Sequence, residues 1–246
     1  MTMGTDSTVT FQNSSADQVL TSDGEAFYNF TMDKGGSGAN DDIEPTDDLD
    51  VNGDLTLTDG ELDLAVNSID LFIGGDFSQA SAVTFTTDGR TVTFDGTEAQ
   101  NMTTAATGPG SGHNNADFEN LTIASGSEVT LVSEELEVEG VLTISAGGKL
   151  KLNGQEYDNN GTLQNLGALV LDGDETIGTW ASDTDSGVII YKGDGTAAET
   201  THTIRDEGAV DYWNLTINDT SSTNSDTFQV ANGSNLTIRG SLNVLG

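Results

Sequence analysis

Carboxylates are the chemically capable groups this chain has in quantity. It carries 41 Asp and Glu against 7 Lys and Arg, with two His and no Cys, for a formal net charge of −34. Three runs gather acids closely enough to share a cation: Asp41, Asp42, Glu44, Asp47 and Asp48; Asp172, Asp174 and Glu175; and Asp183 with Asp185. Hard cations take oxygen ligands, so Ca²⁺ is the ion such runs would hold. The segment Asp48-Leu-Asp50-Val-Asn52-Gly53, followed by Asp59, matches the opening of an EF-hand loop. An EF-hand needs flanking helices, however, and the homologous Glu135-Leu-Glu-Val-Glu-Gly140 reads as a strand and a corner, with Leu49 and Val51 pointing inward. Two readings of these acids stay open: Ca²⁺ held between surface carboxylates at one or more of the three runs, or a diffuse counterion cloud with no ordered ion.

Other chemistries have less to work with. Without cysteine there is no disulfide framework and no thiolate-held metal. His113 lies in a Gly-rich loop and His202 in a strand-like Thr-His-Thr-Ile, neither with a Ser and Asp spacing that suggests a triad. Paired acids can serve glycoside hydrolysis, but acids are too plentiful here for one pair to stand out. The basic residues Lys34, Arg90, Lys149, Lys151, Lys192, Arg205 and Arg239 are scattered along the whole chain. The reading is accordingly not an enzyme, and turnover of any polysaccharide would overturn it. A net charge of −34 argues against a nucleic-acid partner. No apolar run approaches the roughly 18 residues of a membrane span, so membrane insertion is not expected.

The elements that must position these groups are strands. A short pattern occurs three times, as Phe27-Tyr-Asn29-Phe-Thr-Met32, Phe118-Glu-Asn120-Leu-Thr-Ile123 and Tyr212-Trp-Asn214-Leu-Thr-Ile217, with the Asn positions 91 and 94 residues apart. Such regularity is the signature of a repeat array. After the first two copies come a Val-x-Gly bend and two apolar-x-apolar strands: Val51-Asn-Gly53, Leu55-Thr-Leu57 and Leu62-Asp-Leu64, then Val138-Glu-Gly140, Leu142-Thr-Ile144 and Leu150-Lys-Leu152. After the third copy the matching bend reads as Val230-Ala-Asn-Gly233, one residue longer, followed by Leu236-Thr-Ile238 and Leu242-Asn-Val244. The division is residues 1–26 as the end of a repeat, 27–117 and 118–210 as full repeats, and 211–246 as the start of a third.

Nearly every apolar cluster alternates with polar residues, and 30 glycines punctuate them. No stretch of a dozen residues shows helical spacing, so the fold class is all-β. Two architectures suit the repeat: a β-solenoid (parallel β-helix), or tandem Ig-like β-sandwiches. In Leu136-Glu-Val-Glu-Gly-Val-Leu-Thr-Ile144 little more than Gly140 separates two strands, which suits a corner better than a hairpin. The solenoid is the favoured reading. The aromatics Phe27, Phe118, Tyr212 and Trp213 recur before the motif Asn and could stack on surface glycans, although packing is the preferred role. Asn29, Asn120 and Asn214 are expected to hydrogen-bond backbone at a corner.

The run from Asn120-Leu-Thr-Ile through Leu142-Thr-Ile144 to Lys149-Leu-Lys-Leu-Asn-Gly154 resembles the repeats of secreted microbial surface proteins, in the style of filamentous-haemagglutinin and autotransporter-adhesin β-helices. That resemblance implies an extracellular or cell-surface structural or adhesive protein without catalytic residues. Nine Asn-x-Ser/Thr sequons lean the same way. Because Thr8-Val-Thr-Phe11 matches Thr91-Val-Thr-Phe94, both ends fall inside a repeat. The partner expected is then a second copy of the chain, stacked head to tail into a filament.

Overall fold

The computed structural model describes residues 6–12, 16–35, 42–105, 117–133, 135–178, 183, 185–196, 198–206, 211–220, 225–231 and 233–245. Among them there is no helix, and every strand pairing is parallel. Alternation explains why. In Asn29–Asp33 the residues Phe30 and Met32 are buried while their neighbours are half-exposed, so one face of each strand needs cover. A parallel neighbour can be reached only through a crossover, and here the crossover is the rest of a coil. Paired residues lie from 19 positions apart (Leu150 with Leu169) to 30 (Thr103 with Ser133), which is one circuit of the chain.

The result is a β-solenoid. A 14-stranded sheet runs from Thr8–Gln12 to Leu242–Leu245, and a 7-stranded sheet forms a second wall. A tandem of antiparallel sandwiches is ruled out by this topology. Core residues stack in columns, one per coil. In the second sheet Leu49, Leu71, Val92, Leu121, Leu142 and Leu163 form one column, and Val51, Ile73, Phe94, Ile123 and Ile144 another. All are almost fully buried, and each such side chain contributes about 1.5–3 kcal/mol relative to exposure.

The motif asparagines tie three coils together at a corner. Asn29 Oδ1 accepts from the Asp54 amide (2.8 Å), Asn120 Oδ1 from Val141 (3.0 Å) and Asn214 Oδ1 from Ser241 (3.0 Å), each in the following coil. Their Nδ2 groups donate the other way, to Thr8 Oγ1, the Arg90 carbonyl and the Gly187 carbonyl. An N-linked sugar at these positions would take the nitrogen that makes the second bond. Replacing Asn120 by Ala is expected to cost about 1–2 kcal/mol, because the Val141 amide then loses its acceptor in a half-buried corner. Thermal denaturation checks this, and an unchanged midpoint would mean that water replaces the amide without loss.

This corner corrects the alignment of the third repeat. Gly53, Gly140 and Gly240 occupy one role: a Cβ at Gly140 would come to 2.5 Å from the Glu119 carbonyl oxygen, and at Gly240 to 2.7 Å from that of Trp213. Phe27 bridges Val51 and Tyr212 bridges Ile238, while Phe118 pairs with Val138. Leu236-Thr-Ile238 therefore corresponds to Leu49-Asp-Val51, and Leu242-Asn-Val244 to Leu55-Thr-Leu57. The bend of the third copy is Ile238-Arg-Gly240, and Val230-Ala-Asn-Gly233 belongs to an earlier part of the coil. Coil length varies between repeats, so matching by motif order alone slipped by one strand.

Candidate cation-binding site

Four of the acids that sequence groups together, Asp47, Asp48, Glu175 and Asp183, are committed to backbone amides instead of to one another. Asp47 receives the Ser22 and Gly24 amides (both 2.9 Å) and the Ser22 hydroxyl (2.8 Å), and the backbone hydrogen bond from Ser22 is the main cause that holds its carboxyl below the usual range. Asp48 accepts from the Asp70 amide and Asp70 from that of Thr91, one coil at a time. Glu175 takes the Asp172 and Gly173 amides (2.5 and 2.7 Å), and burial pushes its pKa up. Asp172 pairs with Lys192 at 2.6 Å, with burial still raising its pKa, and Asp174 is exposed. Asp183 accepts from the Asn165 amide at 2.6 Å and from Asp185 at 3.1 Å. These side chains cap coil corners, which is why Asp is so frequent next to Gly here.

The structure brings together two of the acids expected to act jointly. Asp42 and Glu44 meet Asp17 of the preceding coil, each offering a carboxylate oxygen within 4.8 Å of the others. Asp17 escaped notice because it is 25 positions from Asp42, one coil earlier, where Gln18 pairs with Ile43. Burial and the neighbouring Asp17 raise the pKa of Asp42. Lys34, itself buried, donates from Nζ to the carbonyls of Ala16 and Asp42 beside this cluster. Asp41 lies outside the described residues, as does His113. Leu49–Val51 is a strand with Leu49 and Val51 buried, and with no helix among the described residues around it the segment is not an EF-hand loop.

A second group was not expected at all. Thr201–Ile204 and Thr227–Val230 form a separate two-stranded parallel sheet in which His202 is the register partner of Phe228, the two rings stacked with centroids 5.2 Å and planes 29° apart. His202 is 1% exposed. Asp226, directly before the second strand, is also buried, and its Oδ2 lies 3.4 Å from His202 Nε2. Asp194 completes the group, all three offering ligand atoms within 4.8 Å of one another. His202 and Asp226 are one coil apart in sequence, so coil spacing was the signal that could have found them.

A groove of about 640 Å³ follows the stacked corner glycines Gly53, Gly74, Gly75 and Gly96 and is rimmed by Asp54, Asp76 and Asp95. Asp54 and Asp76 each accept an amide of the next coil (2.9 and 2.7 Å). Phe118 and Tyr212 are fully buried, and Phe27 packs against the core. The recurring aromatics at that position are thus core, whereas Trp213, like Tyr28 at the matching place in the first copy, is half-exposed. Comparison with protein-family models, with curated proteins and with solved structures finds no match for this chain.

Proposed function

We propose that this chain is a structural element of an extracellular, acidic β-solenoid that extends by stacking coil on coil, in the manner of microbial surface fibres and adhesins. One observation carries the reading. The strand Leu242–Leu245 continues the core column of Leu169, Ile189 and Leu215, yet Leu242, Val244 and Leu245 are 54%, 68% and 54% exposed. Uncovered apolar side chains on an open strand edge form a template for another strand. Further coils of the same polypeptide would cover it, as would a second copy, and the second copy is the partner of this reading. The other end, Thr8–Gln12, offers a matching strand with Val9 and Phe11 on one face.

The regular alternation of amide-capped corners supports a scaffold role, and a non-enzymatic one. The carboxylate surface would be screened by salt and by Ca²⁺, with Asp17, Asp42 and Glu44 as the place where three acids converge. Surface glycans are a further partner in this reading.

Negative-stain electron microscopy at high salt is the test. Wild-type protein should form filaments or end-to-end oligomers, and Val244→Asp should leave monomers, because a charge would then enter the stacked interface. Monomers for the wild type under every salt and Ca²⁺ condition would overturn the self-assembly reading.

A further inference from the structure

We propose that His202, Asp226 and Asp194 form a binding site for one divalent transition-metal ion of the Zn²⁺ or Co²⁺ type. The chemistry of the donors comes first. An imidazole nitrogen with two carboxylates suits borderline cations such as Zn²⁺, whereas Ca²⁺ and Mg²⁺ prefer oxygen alone. Three protein ligands leave a fourth position for water, and Asp194, the only member not buried, lies on the side from which water would enter.

The second argument is unmet bonding capacity. Neither ring nitrogen of His202 has a hydrogen-bond partner, nor has Asp226 Oδ2, although all three atoms are buried. Buried polar atoms almost always find partners. His202 Nε2 and Asp226 Oδ2 stand 3.4 Å apart, too long for a charge-assisted hydrogen bond, which favours about 2.7–2.9 Å. That distance is the one expected between two ligands of a common tetrahedral ion: bonds of about 2.0–2.1 Å at the tetrahedral angle put the ligand atoms about 3.3–3.4 Å apart.

The third argument is that the surroundings hold these groups in place. Phe228 stacks on one side of the imidazole. Gly173 lies close as well, where a Cβ would come to 2.8 Å from His202 Cβ and 3.1 Å from Nδ1. Gly193 leaves room for Asp226 Oδ2, which a side chain there would strike. The other oxygen of Asp226 accepts the Thr200 amide at 3.0 Å. Asp194 accepts from the Thr196 amide (2.8 Å) and the Thr200 hydroxyl (3.1 Å). Hydrogen bonds of this kind orient metal ligands. The site joins the two-stranded sheet to the segment after Val188–Tyr191, so the ion would pin this coil.

Co²⁺ titration of the full-length chain tests the proposal, in high salt with excess Mg²⁺ to occupy the surface carboxylates. The expected result is one Co²⁺ per chain with the intense visible absorption of tetrahedral Co²⁺, displaced by Zn²⁺. Outer-shell partners of metal sites are worth about 10–100-fold in affinity, so loss of a ligand should weaken binding by at least about tenfold in both Asp194→Asn and His202→Gln. Asp194 is partly exposed, so its variant keeps the fold even where that of His202 does not, and far-UV circular dichroism verifies this. Absence of tetrahedral Co²⁺ in the wild type, or the same uptake by wild type and Asp194→Asn, overturns the site.

Discussion

Gly161→Ala should lower the stability of the solenoid by about 3 kcal/mol, at the upper end of the usual cost of overpacking. A Cβ at Gly161 would overlap the Gly140 carbonyl oxygen one coil below and stand 2.7 Å from that of Glu139. Both are backbone atoms, so no flexible side chain can yield. The coils cannot separate there either, because Val141 pairs with Thr162 and Val138 with Asn159 on the two sides of the corner. Gly126→Ala is the control: nothing lies within 4 Å of its Cβ, and only the left-handed backbone at φ 88° is strained, at about 1–2 kcal/mol. In a chain of this size 1 kcal/mol moves Tm by about 2–4 °C, so the two variants separate in a melting curve. Equal losses would mean that Gly161 and Gly140 are not stacked.

The second large effect is on charge. Stability should rise as pH falls from 8 towards about 5, and Tm at neutral pH should climb with NaCl. Burial is the main cause that raises the pKa values of Asp42, Asp50, Glu61, Asp95, Asp172 and Glu175. A carboxyl raised in the folded chain takes up its proton at a higher pH than in the unfolded chain. Its penalty on folding is therefore present at neutral pH and relieved as pH falls through the raised value.

Groups lowered on folding act in the opposite sense. Glu128 is held down by Lys149 and Lys151, and Asp47 by the Ser22 amide. Their contribution is present above the unfolded value of about 4 and disappears as pH falls through the depressed values, so stability should decline again below about pH 4. Salt acts on the net charge of −34, shortening the Debye length from about 30 Å at 0.01 M to about 3 Å at 1 M. Melting curves over pH and NaCl check both. A maximum at pH 8 with no salt dependence would show that charge repulsion and burial of these acids are unimportant.

Strand character, the corner glycines and the backbone hydrogen bonding of the motif Asn were legible in the sequence because they depend on local pattern. Val-Thr-Phe alternation makes a one-faced strand wherever it is placed. A Gly flanked by two such strands admits a corner, and an amide one coil earlier serves it. The repeat at Asn29, Asn120 and Asn214 carried this information in full. The solenoid over the sandwich followed from the same corners, since a single Gly is too short for an antiparallel turn.

Tertiary structure alone decided which acids meet. Neighbours in a solenoid are one coil apart, and the coil varies from 19 to 30 residues, so adjacency in sequence finds Asp42 with Glu44 but not the acids that an adjoining coil supplies. Asp47, Asp48 and Asp183 read as cation ligands from their spacing, but the nearest unsatisfied groups were backbone amides of the adjoining coil, and these hydrogen-bond the carboxylates instead. Asp17 beside Asp42, and Asp226 beside His202, became visible only once the register between coils was known. The same variable coil length displaced the third repeat by one strand. Composition and alternation determine that this chain coils; the register between coils, set by how each circuit closes over the core, determines where its charges converge.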